Sequence, residues 1–311
     1  MIQRYFRGVT GTAPVQTIDP LMHDKEHQLS CYFLPGPRPT LVEPGPESCL
    51  DRVIASLEEK GVGRDDLANI VVTHVHLDHG GGAGRLAEHF PQATVFVHTQ
   101  GARHLRSPER LWNSATRVYG HERMEELWGS MTPVPEHRLE AVDEGDRIDL
   151  GGGRYLDVLY TPGHAKHLMC LVDSETGGVF VGDAVGITLP GSHLVRPTVP
   201  PPDIDTDLLV SQLGRLAGRG VTSINFAHFG IDHSVGPMLD QAERRVRRWD
   251  AIVASAVAEG LEIPAIADRL EQLTHEEYVA EGFSPEVIAA AEDRTEYESE
   301  AAGLFRAHTH S

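Results

Sequence analysis

The stretch THVHLDHGGG, residues 73–82, constrains this chain more than any other feature. His74, His76, Asp78 and His79 fall within six consecutive positions, and Gly80, Gly81 and Gly82 follow them. In extended backbone, residues two apart project to the same side, so His74 and His76 can converge on one ion. Asp78 and His79 stand at the turn into a helix, where they can face a second ion. The three glycines let the backbone pass close to such a site without Cβ clashes. Imidazole and carboxylate are the ligands expected for zinc, iron or manganese near neutral pH. A lone histidine is more often a surface or hydrogen-bonded core residue, and the chain has 18 histidines in all. Four donors in one short turn are not explained that way.

Bulk properties bound the remaining choices. A chain of 311 residues can bury one large core, or one domain plus a smaller accessory element. The formal charge of −19 argues against nucleic acid or an anionic membrane surface as the main partner. No window approaches the apolar length of a membrane span, and the opening MIQRYFRGVTGTAP lacks the apolar run of a signal peptide. Cys31, Cys49 and Cys170 are odd in number and widely spaced, with no C-x-x-C pair. A disulfide framework is therefore not expected, and a reducing cytoplasm fits.

Strand-type runs come first: SCYFLPG (30–36), PTLVEPG (39–45) and ANIVVTH (68–74). SCLDRVIASLEEKGV between the last two reads as a helix, with Ser48 as its cap, Leu50, Val53, Ile54 and Leu57 on one face, and Gly61 as its stop. GAGRLAEHF then predicts a short helix and ATVFVHT another strand. Residues 102–130 turn helical, with Leu111, Trp112, Leu127 and Trp128 as buried anchors. A second β-rich stretch covers 147–163, 168–173 and 178–183, with a hairpin turn at SETGG. RPTVPPPDID (196–205) is too proline-rich for regular structure. A helix over TDLLVSQLGRLAGRG and a strand ending at His228 follow. From about residue 236 only helical patterns remain, with Leu239, Ala242, Val246, Trp249, Val253 and Ala256 at 3.6-residue spacing. The order suggests two strand-rich halves, each covered by helices, in residues 1–235, and a C-terminal helical extension over 236–311.

HVHLDH matches the H-x-H-x-D-H motif of the metallo-β-lactamase fold hydrolases, and it follows a β run as in that family. Later motifs appear in order: TPGH gives His164, VFVGDA gives Asp183 and INFAHFG gives His228. The chain thus resembles that family over residues 30–235, and within it the glyoxalase-II-like branch, whose C-terminal helices help build the substrate pocket. The resemblance implies an α/β fold, an αββα four-layer sandwich with helices outside two face-to-face sheets. It also implies that His74, His76 and His164 hold one metal, that Asp78, His79 and His228 hold another, and that Asp183 bridges both. One departure stands out: LVEPGPES replaces an aspartate-containing turn of many relatives, which leaves open whether Glu43 supports the ligands.

Two divalent ions, zinc first and iron or manganese as alternatives, lower the pKa of a bridging water toward about 7 and polarise a substrate carbonyl. Asp78 would bind one ion and shuttle a proton to the leaving group. The resulting expectation is hydrolysis of a small-molecule thioester or ester, with lactone hydrolysis second. A mononuclear-iron persulfide dioxygenase is a rival, although the glycine–arginine–threonine segment usual there does not follow Asp183. Flavin-associated di-iron relatives typically place glutamate at the position of His76. A metal-binding regulatory protein is a third class. RRVRR, with Arg244, Arg245, Arg247 and Arg248, reads first as a solvated helix face around Val246 and Trp249, and second as a site for an anionic substrate tail. His167 is weighed as a group near the site against an ordinary strand-edge histidine, and Lys166 beside it as solvent-facing. The proline-rich loop is equally a lid over the site or a stiff connection. The C-terminal helices either pack on their own chain or form a homodimer.

Overall fold

The computed structural model describes residues 14–309, apart from the side chains of Val118 and Tyr119. The export-signal expectation rests on residues 1–14, of which 1–13 lie outside the described residues. Two compact units emerge. One runs to Leu159 and includes Leu171–Gly178; the other comprises Tyr160–Cys170 and the chain from Val179 onward.

In the first unit, apolar β-branched runs assemble a six-stranded sheet in sequence order: β1 (Gln16–Ile18), β2 (Cys31–Leu34), β3 (Thr40–Val42), β4 (Asn69–Val71), β5 (Thr94–His98) and β6 (Leu139–Val142). β1, β2 and β3 pair antiparallel, whereas β3 to β6 run parallel. Every residue of β3 and β4 is buried, as expected of parallel strands covered on both faces. Val42 pairs with Val71, and Val71 with Phe96. The chain therefore leaves β3 and β4 side by side at their carboxyl ends, where α/β sheets build their sites.

Helix α1 (Leu50–Glu59) buries Leu50, Val53 and Leu57 and half-buries Ile54. Ser48 does not cap it. A 3-10 turn at Glu47–Cys49 runs straight into the helix, so Ser48 lies within a helical segment, and its hydroxyl donates to the Leu127 carbonyl at 2.9 Å. Next come α2 (Leu77–Gly80) and α3 (Ala83–His89), then α4 (Thr99–Arg106), α5 (Glu109–Tyr119) and α6 (His121–Trp128). Of the four anchors expected in that last stretch only Trp128 is buried. Leu111, Trp112 and Leu127 are half-buried, and Met124 is fully enclosed. Cys31, Cys49 and Cys170 are free and buried. Burial pushes the Cys49 thiol up to about 12 and Cys31 well above its ordinary value, so both stay protonated.

The β-rich run 147–163 folds as a hairpin, β7 (Arg147–Gly151) and β8 (Arg154–Tyr160). β9 (Met169–Asp173) and β10 (Gly178–Phe180) follow, with the SETGG turn between them; β11 (Ile187–Thr188) and β12 (Val195–Arg196) form a two-stranded ribbon. After α7 (Thr206–Ala217) come β13 (Ser223–Phe226) and β14 (Gly230–Asp232). The second six-stranded sheet has the order β14-β13-β10-β9-β8-β7. The strand expected to end at His228 stops at Phe226, which leaves His228 in the turn to β14. The proline-rich loop is irregular beyond Arg196, as its composition predicts.

The second unit ends in α8 (Val235–Ala258), α9 (Ile263–Ala280), α10 (Pro285–Glu292) and α11 (Tyr297–Thr309). All six apolar residues spaced along α8 are buried, and most join a core with Ile266, Leu270, Ala301 and Leu304. Each large aliphatic side chain so enclosed contributes about 1.5–3 kcal/mol. No helix among the described residues is long and apolar enough to cross a membrane.

Candidate metal centre

The donor-rich turn begins two residues beyond β4. Thr73, His74 and His79 are buried, Asp78 is half-buried, and His76 lies at the start of α2. His74 Nε2 and His76 Nδ1 face each other at 3.1 Å, and the His74 and His79 rings lie 3.9 Å apart between centroids. His79 Nε2 lies 3.2 Å from Asp78 Oδ2, and its Nδ1 lies 3.3 Å from Glu43 Oε1. The glycines explain how the turn docks. Gly82 donates to the Gly45 carbonyl at 2.8 Å, Gly45 donates to the His79 carbonyl at 3.1 Å, and a Cβ on Gly82 would stand 2.9 Å from the Gly45 oxygen.

Glu43 is the residue that the sequence left undecided. The parallel register of β3 and β4 delivers it beside Thr73, whose hydroxyl donates to Glu43 Oε1 at 2.5 Å. Glu43 is 1% exposed, and its Oε2 has no hydrogen-bond partner among the described residues. A buried carboxylate left in that condition is costly unless a cation or proton meets it. Donor atoms of Glu43, His74 and His79 lie within 4.8 Å of one another. Buried imidazoles and carboxylates gathered this closely fit a divalent ion of the zinc, iron or manganese type.

The second unit holds the other predicted donors. His164 follows Gly163, whose φ is +136° and where a Cβ would come within 2.6 Å of the Leu209 backbone. Only glycine lets the His164 turn lie this close to α7. His164 Nδ1 is 3.0 Å from the Thr198 carbonyl, while Nε2 faces Asp183 Oδ2 at 3.4 Å. Asp183 Oδ1 lies 3.6 Å from His228 Nε2. One carboxylate thus offers a different oxygen to each of two buried histidines, at separations long for a direct hydrogen bond. That spacing suits donors arranged around ions rather than paired with each other.

Other candidates resolve differently. Arg245 is fully buried, reaches Glu277 at 3.3 Å and Glu281 at 2.5 Å, and stacks over the Tyr278 ring at 4.8 Å. Arg244 pairs with Glu281, Arg247 with Glu243 and Arg248 with Glu277. The run is an intramolecular ion-pair network, not a plain solvated face. Its expected role for an anionic tail finds each guanidinium already matched to a carboxylate. His167 is buried, while the exposed Lys166 pairs with Asp203 at 2.9 Å. Sequence reading passed over His98, a buried residue that caps α4 by accepting from the Gln100 N–H and lies 3.2 Å from Asp143. Burial lowers its pKa against the opposing pull of Asp143. Thr198 was also invisible, because its contribution is a main-chain carbonyl that no residue type announces.

The sequence model of the metallo-beta-lactamase superfamily matches residues 25–221. The chain belongs to this superfamily. Its α/β class with a helical C-terminal region is the one that the motifs predicted. The metallo-beta-lactamase fold-containing protein ST1585 of Sulfurisphaera tokodaii is 32% identical over 171 residues, covering 54% of this chain and 62% of the relative. The solved ST1585 structure superposes with a TM-score of 0.59 at 25% identity, covering 77% of this chain and 87% of that one. The acyl-coenzyme A thioesterase MBLAC2 of Gallus gallus is 37% identical over 123 residues, 37% of this chain and 40% of the relative. The N-acyl homoserine lactonase of Bacillus thuringiensis is 27% identical over 170 residues, 53% of this chain and 56% of the relative. The matched regions therefore span roughly 40–62% of these superfamily relatives' own lengths.

Proposed function

We propose that this superfamily member is a metal-dependent hydrolase of small-molecule thioesters or esters. The observation that carries the reading is Asp183, which offers Oδ2 toward His164 and Oδ1 toward His228. In this reading His74, His76 and His164 hold one divalent ion, Asp78, His79 and His228 hold a second, and Asp183 serves both. Such ions, zinc first by donor type and iron or manganese otherwise, supply Lewis acidity toward water and the substrate carbonyl when bound.

The remaining work falls to the chain. Glu43 Oε1 stands 3.3 Å from His79 Nδ1 and sets a carboxylate beside that ring, while the Thr198 carbonyl at His164 Nδ1 fixes the orientation of the His164 ring. Asp78, whose side chain is 23% exposed, is within reach of solvent. It takes a proton from the attacking water and returns it to the departing thiol or alcohol as the carbonyl–sulfur or carbonyl–oxygen bond breaks.

The name of the thioesterase relative, matched at higher identity, supports a thioester first. A lactone is the second reading, favoured by the greater share of this chain that the lactonase match covers. The test is hydrolysis by zinc- or manganese-loaded protein of acyl thioesters and lactones of equal acyl length, with Asp183→Asn as control. Thioester turnover that falls by about a thousandfold in the variant supports the first reading. Lactone turnover alone selects the second. Silence on both substrates with metal bound overturns carbonyl hydrolysis of these classes.

A further inference from the structure

A buried ion pair stands behind His164. Arg196, the last residue of β12, donates from Nη1 to Glu300 Oε1 and from Nη2 to the Arg294 carbonyl, each at 3.0 Å. Glu300 Oε2 accepts the Val199 N–H at 2.5 Å. Arg196 is 3% exposed and Glu300 5%. One carboxylate on α11 therefore grips both ends of the segment 196–199. Within that segment lies Thr198, whose carbonyl meets His164 Nδ1. A turn further along α11, Gly303 packs so tightly that a Cβ would come within 1.9 Å of the Val199 oxygen.

The same ribbon is held from a second helix, since Arg245 on α8 donates to the Val195 carbonyl. On the ribbon's other strand, the Thr188 N–H donates to the His228 carbonyl at 2.5 Å. A buried ion pair is a poor source of net stability, because desolvation offsets most of the attraction. Its value here is positional: it holds a backbone carbonyl at a fixed place against a histidine.

We propose that Glu300 is a positioning residue for the metal centre, acting through Arg196 and the Val199 N–H to fix the Thr198 carbonyl against His164. The inference rests on the reading of His164 and Asp183 as metal ligands. A carbonyl at Nδ1 selects the tautomer that carries its proton there and leaves Nε2, which faces Asp183, as the donor to an ion. The C-terminal helix thereby tunes a ligand 136 residues earlier in the chain without touching it.

The test uses the full chain loaded with zinc and, separately, with cobalt. Wild type is compared with Glu300→Gln and with Arg196→Met/Glu300→Leu, which leaves neither charge buried alone. Leu270→Ala, a fully buried residue of α9 outside this hydrogen-bond chain, is the control for lost stability. At a temperature where all are folded by circular dichroism, chelator competition gives each zinc affinity. Weakening of one zinc by about tenfold in both Glu300 variants, with a shifted cobalt absorption band, is expected. Leu270→Ala keeps both affinities despite a lower melting temperature. On a His164→Ala background, Glu300→Gln brings no further loss. Unchanged affinities and cobalt spectrum in both Glu300 variants, while His164→Ala alone loses a zinc, overturn this inference and leave the metal reading standing. If His164→Ala changes nothing, or the wild type retains no zinc, both fall.

Discussion

Glu43 leaves β3 with φ at +61°, a backbone conformation that non-glycine residues seldom adopt and that costs on the order of 1 kcal/mol or more. It is held there by the Thr73 hydroxyl and, buried, faces His79. Replacing it with the isosteric Glu43→Gln keeps the shape, removes the charge and puts an amide in place of one carboxylate oxygen. We expect the affinity for the ion held by His79 to fall roughly ten- to hundredfold, read by chelator competition on the folded variant. An unaltered affinity would reduce Glu43 to a structural residue. The sequence flagged this position only because its turn departs from the family pattern. Its proximity to His79 comes from the β3–β4 register, which a single residue type does not encode.

At the scale of elements, the turn between β9 and β10 carries a pH prediction. Asp173 is fully buried, and burial alone would push its carboxyl up. Hydrogen bonds from Arg154, Thr176 and the Glu175 N–H, with the Arg154 charge, outweigh that and hold it below the ordinary carboxylate value. A carboxylate with a depressed folded pKa adds stability that is fully present above its unfolded value of about 4. That contribution is lost as pH falls through the lower folded value. Wild type should therefore exceed Asp173→Asn in urea midpoint at pH 7, and the gap should narrow progressively below about pH 4. A gap that stays constant from neutral pH down to about pH 3 would rule out this linkage. The elements themselves were largely readable, since α8 buries every residue that its 3.6-residue spacing selects. Ser48 was misread as a cap because a preceding 3-10 turn, set by Pro46 and the packing of Glu47 against residues 130–132, absorbs the helix start. Within the β-rich run 147–163 the chain turns back as a hairpin at Gly151, Gly152 and Gly153, which all take positive φ.

For the whole molecule, metal removal is the decisive perturbation. Ions that bind the native state and not the unfolded chain stabilise it by about 4 kcal/mol at a thousandfold excess over Kd. For a chain of this size that corresponds to a melting temperature on the order of 10 °C higher. Scanning calorimetry after EDTA treatment should show a drop of that size, reversed by zinc and absent in Asp183→Asn. Identical melting with and without chelator would sink the metal reading for the native state. Residue order was enough for the superfamily, the α/β class and the helical C-terminal region, and it singled out the candidate donors. It could do so because strand and helix periodicity are local, and because H-x-H-x-D-H packs its donors into one turn. Only the folded chain shows that Glu43 meets His79, that Thr198 presents its carbonyl to His164, and that Arg244, Arg245 and Arg248 are matched to Glu277 and Glu281. Those pairings join residues far apart in the chain through register, backbone atoms and burial, none of which leaves a signature in residue order.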